Sequence, residues 1–204
     1  MTLRVGVLVS GNGTTLQALL DACAEPAFPA RVVLVGCNRA AAPAVARADT
    51  AGVPVCLVDR AANPGRAKRQ AVLLKSLQAE RVGLVVLAGF DEVLGPEFVA
   101  AYAARMLNTH PSLLPAFGGT MHAVELALDY GVKIAGCTVH LVTDDLDSGP
   151  ILLQQCVEVR DEDDPTTLHA RIREHEHRLL RLAVRAFAED RVKIEGRRAR
   201  VIGS

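Results

Sequence analysis

Hydrophobic and polar positions along this chain switch repeatedly between two periods. Residues 3–9 (Leu-Arg-Val-Gly-Val-Leu-Val) form a short apolar run, which reads as a strand buried on both faces. A polar glycine turn, Ser10-Gly-Asn-Gly-Thr-Thr15, follows it. Leu16, Leu19, Leu20 and Cys23 then recur at i, i+3, i+4 and i+7, one apolar side of a helix. Thr14 or Thr15 is expected to cap that helix. The alternation continues with a buried strand over 30–37 and an Ala-rich helix over 41–51 closed by Gly52. A third strand, 53–58, is placed near an edge by Pro54. Residues 64–78 read as a helix with Ala67, Ala71, Leu74 and Leu77 inward. Residues 82–88 read as a central strand with a loop over 89–94 beyond it, and 96–103 as a short helix.

The stretch Met106-Leu-Asn-Thr-His-Pro-Ser-Leu-Leu-Pro115 passes from apolar to polar within three residues. If 106–110 is extended, Asn108 and His110 share a face, because alternate side chains of a strand point the same way. Beyond it come a helix over 120–130 ended by Gly131, a strand over 133–142, a polar loop over 143–149 and a return strand over 151–159. Asp164-Pro165 is a helix start, cap then proline. The helix runs to about Glu189 with Leu168, Ile172, Leu179, Ala183 and Phe187 inward, and 192–202 reads as a hairpin turning at Glu195-Gly196. Strands alternating with helices predict an α/β fold: a mostly parallel twisted sheet flanked by helices, mixed at its C-terminal end. With no linker-like break, 1–204 is expected to be one domain. Its halves, about 1–104 and about 105–204, would bind phosphate or nucleotide and carry catalysis.

Composition narrows the function classes. Half of the 204 residues are hydrophobic, and 23 Lys plus Arg balance 23 Asp plus Glu. That balance gives no global basic field for nucleic acid or a membrane surface. The apolar runs are too short or too broken by charge to cross a bilayer. Cys23, Cys37, Cys56, Cys137 and Cys156 are odd in number and never in CxxC spacing, so they read as small core residues in a reducing compartment.

Three clusters could carry chemistry. Gly11-Asn-Gly-Thr-Thr15 joins a strand to a helix start, where glycines allow close backbone approach and the helix dipole favours an anion. It lacks the third glycine of a dinucleotide fingerprint and the Gly-Lys-Ser/Thr of a P-loop, so a single phosphate monoester is the expected ligand. Asn108 and His110 suit an oxyanion forming at an attacked carbonyl. Asp147, in the turn before Ser-Gly-Pro, could pair with His110, keep it charged and relay a proton. Asp144 and Asp145 are expected to be solvated turn residues, and no metal is expected because the acid spacing is not that of a calcium loop. Glu176 lies four after Ile172 and four before Leu180, on the inward side of its helix, where a carboxylate is unusual unless paired. His122, His140 and His169 are expected in packing or surface roles. His175 and His177, two apart on a helix, do not form a chelating pair.

Taken together, Ser10-Gly-Asn-Gly, Leu87-Ala-Gly-Phe90, Asn108-x-His-Pro-Ser-Leu-Leu-Pro115 and Asp147-x-Gly-Pro150 stand in an order and spacing that resemble the folate-dependent phosphoribosylglycinamide formyltransferases over essentially the whole chain. The resemblance implies a Rossmann-like formyltransferase fold, a cytoplasmic purine-biosynthesis enzyme, and 10-formyltetrahydrofolate as co-substrate with glycinamide ribonucleotide as acceptor. No nucleic acid, membrane or metal is implied, and the chain would be a monomer or homodimer. Residue by residue, it implies catalysis by Asn108, His110 and Asp147. It implies acceptor binding by Gly13, Thr14, Thr15 and Glu176, and folate binding by Arg66, Asp91, Glu92, Val93, Leu94 and Asn108. Two departures stand out: Asp91-Glu92 where many relatives carry Met-Arg, and Thr15 where Asn is commoner. The alternatives are a formyltetrahydrofolate hydrolase and a non-catalytic ligand-binding relative.

Overall fold

A computed structural model describes residues 2–203. The first half runs β1 (Leu3–Val9), α1 (Thr14–Ala24), β2 (Ala30–Cys37), α2 (Pro43–Thr50), β3 (Val55–Leu57), α3 (Arg66–Ala79), β4 (Leu84–Leu87) and α4 (Pro96–Ala101). The second runs β5 (Met106–His110), α5 (Ala123–Tyr130), β6 (Ile134–Leu141), β7 (Ile151–Glu158), α6 (Pro165–Ala188), β8 (Val192–Glu195) and β9 (Arg198–Val201). All nine strands form one sheet in the order β3-β2-β1-β4-β5-β6-β7-β9-β8. Pairing is parallel from β3 to β5, antiparallel for β5–β6, β6–β7 and β8–β9, and parallel where β9 meets β7.

The central strands are buried on both sides, and their side chains sort by parity. Val5, Val7 and Val9 of β1, with Leu84 and Val86 of β4, join the core that also holds Leu16 and Leu19 of α1 and Ile172 and Leu180 of α6. Leu8, Val85 and Leu87 face the other core, with Leu73 and Leu77 of α3 and Phe98 of α4. This three-layer arrangement accounts for apolar runs that show no alternation. The edge strand β3 is shorter than the expected 53–58, with Leu57 exposed. Cys37 and Cys137 are core residues, whereas Cys156 is exposed, and all five cysteines are free.

Two local expectations are corrected. α1 is capped by neither threonine: Gly13 is its N-cap, in the left-handed region at φ 70°, with no side-chain cap bond. A Cβ on Gly13 would come within 2.7 Å of the Ala44 Cβ, so close packing of α2 excludes a side chain there. The inward face of α3 is Arg69, Gln70, Leu73 and Leu77, not Ala67, Ala71, Leu74 and Leu77. Ala67 and Ala71 are exposed and Leu74 is half-buried, because the buried polar side chains Arg69 and Gln70 find partners in the loop after β4.

Candidate active site

A cleft of about 610 Å3 opens beyond the carboxyl ends of β1 and β4 and along β5. That is where open α/β sheets bind ligands, and the volume suits small organic molecules. Its walls are the β1–α1 turn (11–15), the loop after β4, the end of β5, the 143–147 loop, and one side of α6.

Strand parity builds the centre. Leu107 packs in the α6-side core, so Asn108 and His110 turn to the opposite face with Met106. The antiparallel neighbour β6 sets His140 across from Asn108. Asn108 Nδ2 lies 3.2 Å from His140 Nε2 and 3.4 Å from Asp147 Oδ1. His110 Nδ1 lies 3.4 Å from Asp147 Oδ2, and His110 Nε2 lies 2.9 Å from the Phe117 carbonyl oxygen. Both ring nitrogens of His110 therefore face acceptors, an arrangement that the doubly protonated ring satisfies. Asp147 takes a left-handed φ of 50°, which aspartate tolerates better than most residues. Burial would raise its carboxyl, but hydrogen bonds from His140 and the Gly119 amide, and the charges of His110 and His140, outweigh it and hold the group below the usual carboxylate range.

The other face of β5 meets α6. Glu176 is buried, and burial pushes its carboxyl up to about 7, against the opposing pulls of the Arg173 charge and a Thr109 hydrogen bond. A carboxyl in that state gains or loses its proton near neutrality. His169, Arg173 and Glu176 all line the cleft, at i, i+4 and i+7 of one helix face.

Gly11, Asn12, Gly13, Thr14 and Thr15 line the cleft at the start of α1. The first amides of a helix lack acceptors within it, so the turn presents donors and a favourable dipole to an anion. Arg47 of α2 steadies the turn, its Nε donating to the Asn12 carbonyl at 2.8 Å.

Asp91, Glu92, Val93 and Leu94 also line the cleft. The two acids are neutralised from behind. Asp91 accepts from Asn38 at 3.0 Å, from Arg60 at 3.0 Å and from Arg39. Glu92 pairs with Arg69 at 2.5 Å. Burial tends to raise the Asp91 carboxyl, but its bonds from Asn38, Ser10 and Arg39 and the Arg60 charge keep it low. Arg66 is placed differently from its expected role: it opens α3, is exposed, and is not among the residues lining the cleft. The helix reaches the loop one turn later, through Arg69 and Gln70.

The structure thus brings Asn108, His110 and Asp147 together, sets Glu176 behind them, and puts Gly13 to Thr15 in the same cleft. Sequence reasoning gave His140 and His169 packing or surface roles and did not single out Arg173. Pairing β6 against β5 would have found His140, and the helical spacing from Glu176 would have found the other two. Asp144 and Asp145 are exposed rim residues, as expected for turn acids.

Comparison with known proteins follows the same lines. A family profile described as formyl transferase matches residues 3–184. The chain belongs to this family of group-transfer enzymes, and its relatives include phosphoribosylglycinamide formyltransferases. The phosphoribosylglycinamide formyltransferase of Mycobacterium tuberculosis is 50% identical over 196 residues, 96% of this chain and 90% of that one. A crystal structure of glycinamide ribonucleotide transformylase 1 from Symbiobacterium toebii superposes with a TM-score of 0.94 at 48% identity, covering 98% of this chain and 94% of that one. A formyltetrahydrofolate deformylase from Burkholderia mallei also matches, with a TM-score of 0.89 at 33% identity, over 99% of this chain and 70% of that one. The fold is therefore shared by a transferase and a hydrolase, and the site must discriminate between them.

Proposed function

We propose that this enzyme transfers the formyl group of 10-formyltetrahydrofolate to the primary amine of glycinamide ribonucleotide. The products are formylglycinamide ribonucleotide and tetrahydrofolate, made in the cytoplasm as part of purine biosynthesis. The observation that carries the reading is the Asn108–His110–Asp147 cluster in one cleft with the 11–15 turn: a carbonyl-activating group and a phosphate-accepting turn face a common space.

The 11–15 turn takes the phosphate through its amides and the hydroxyls of Thr14 and Thr15. Glu176 anchors the acceptor near its amine. The loop over 91–94 takes the folate through backbone groups and the apolar Val93 and Leu94. The amine nitrogen attacks the formyl carbon, and charge develops on the formyl oxygen. Asn108 Nδ2 and the His110 imidazolium donate to that oxygen, which replaces the Phe117 carbonyl at Nε2. Asp147 balances the imidazolium and, directly or through a water, receives the proton released by the amine; collapse of the tetrahedral centre then breaks the bond between the formyl carbon and N10 of the folate, and that proton passes to N10 as tetrahydrofolate leaves. No covalent enzyme intermediate is needed, and much of the acceleration comes from holding amine and formyl group together. In this reading residues 1–204 act as one unit, the first half holding the phosphate end and the second the reacting centre.

Hydrolysis is the second reading, favoured by the deformylase likeness: water would replace the amine. The test mixes protein with both substrates and omits each in turn. Formylated acceptor that forms only when both are present supports transfer. Tetrahydrofolate release without the acceptor, at an equal rate, would establish the hydrolase instead.

A further inference from the structure

We infer that Arg69 is a positioning residue for the formyl donor: its buried ion pair with Glu92 fixes the 91–95 loop so that the loop meets the donor with backbone and apolar groups and not with its carboxylates. The inference rests on the donor-side reading of that loop given above.

The pair is the most enclosed ion pair between α3 and the cleft wall, with side chains 6% and 7% exposed. A buried charge persists only if its partner does, so Glu92 holds the loop wherever Arg69 stands. Arg69 is itself fixed, with Nη1 donating to the Asn63 carbonyl at 2.5 Å. Its Nε finds no acceptor among the described residues, so the guanidinium is placed by Glu92 and Asn63 at the expense of one donor. Gln70, the next residue, grips the same loop at three points. Its Nε2 donates to Glu92 Oε1 at 3.0 Å and to the Val93 carbonyl at 2.9 Å, while its Oε1 accepts from the Gly95 amide at 2.8 Å. Two consecutive residues of one helix therefore set the side chain of 92 and the backbone of 93 and 95. Leu73 and Leu77, one and two turns further on, root that helix in the core.

The loop's other anchor has a different reach. The Asp91 amide donates to Ser10 Oγ at 3.0 Å, and Ser10 directly precedes the 11–15 turn. Disturbing Asp91 reaches both substrate sites. The contacts of Arg69 and Gln70 lie wholly on the donor side, so their loss has a one-sided signature.

Steady-state kinetics with both substrates varied would test this in wild type, Arg69→Met, Gln70→Leu and the swapped pair Arg69→Glu/Glu92→Arg, with thermal melting to verify folding. Arg69→Met should raise the donor KM about tenfold or more, since small misplacements of binding groups have large effects. The acceptor KM should stay within about twofold, and kcat at saturating donor should be largely kept, as for a lost ground-state contact. The swapped pair should recover most of the donor KM. Gln70→Leu strands no charge, so it keeps the test open if Arg69→Met fails to fold; it should raise the donor KM and spare the acceptor KM. An unchanged donor KM in folded Gln70→Leu or Arg69→Met, equal rises in both KM values, or no recovery in a folded swapped pair overturns the inference alone. Absence of transfer by the wild type overturns the functional reading and this inference with it.

Discussion

Asp147 carries more of the site than any other single side chain, since one carboxylate contacts His110, His140, Asn108 and the Gly119 amide. Asp147→Asn keeps the shape and removes the charge. Turnover should fall about 10²- to 10⁴-fold with little change in melting temperature, and His110→Ala should do the same. Wild-type rates in either folded variant would remove both residues from the mechanism. Glu176 makes a prediction through pH. Its carboxyl, raised by burial to about 7 from an ordinary value of 4.5, holds its proton in the folded chain where the unfolded chain has released it. Its contribution to stability is complete below the unfolded value and is lost as pH rises through about 7. Glu176→Gln should flatten that slope, worth roughly 3 kcal/mol when fully developed. Melting curves from the ordinary value of 4.5 up through about 7, the window set by the shift, would show it. If the wild type and the variant change in parallel, Glu176 does not titrate there. At this scale Asn108, His110 and Glu176 were legible, because strand and helix periods fix which way each points. His140 was legible only as a residue on a strand near the site; its place across from Asn108 depends on which strand lies beside β5, and one strand's alternation does not carry that information.

Helix α6 is the element whose sequence and structure agree most closely. Asp164 accepts from the Thr167 amide at 2.7 Å while Thr167 Oγ1 accepts from the Asp164 amide at 3.0 Å, a reciprocal cap with Pro165 inside it. Asp164→Ala should lower the melting temperature by a few degrees and leave substrate KM values unchanged, because the cap lies about three turns from Glu176. A change in acceptor KM would mean instead that the helix start sets the position of Glu176. Helix α3 marks the opposite case. Its apolar spacing pointed to Ala67 and Ala71, but the buried face carries Arg69 and Gln70. Hydrophobic periodicity registers a buried arginine as solvent-facing, and only the long-range acid at Glu92 reverses that assignment. The cap of α1 failed for a related reason. Gly13 was recognised as a turn residue, but the neighbour that forbids a side chain there is Ala44, some thirty positions on.

Across the whole molecule, the parallel half was readable because apolar runs separated by amphipathic helices admit few arrangements. The terminal hairpin was readable as a hairpin but not as a neighbour of β7. It joins the sheet through a single register pair, Ile151 with Arg198, and no local pattern encodes so small a contact. Its turn does reach the site: Arg197 Nη1 donates to the Ser148 carbonyl at 3.0 Å, next to Asp147. Gly149 completes the same loop, and a Cβ there would overlap the Leu141 carbonyl oxygen at 1.8 Å, so the loop passes β6 too closely for any side chain at that position. Arg197→Ala should therefore reduce kcat a few-fold at nearly unchanged melting temperature; unaltered turnover would show that the loop holds itself. One practical consequence concerns handling of the protein. An affinity tag or fusion partner attached after the hairpin would sit beside the element whose Arg197 bonds the loop next to Asp147. Assays comparing variants should use material from which any such extension has been cleaved.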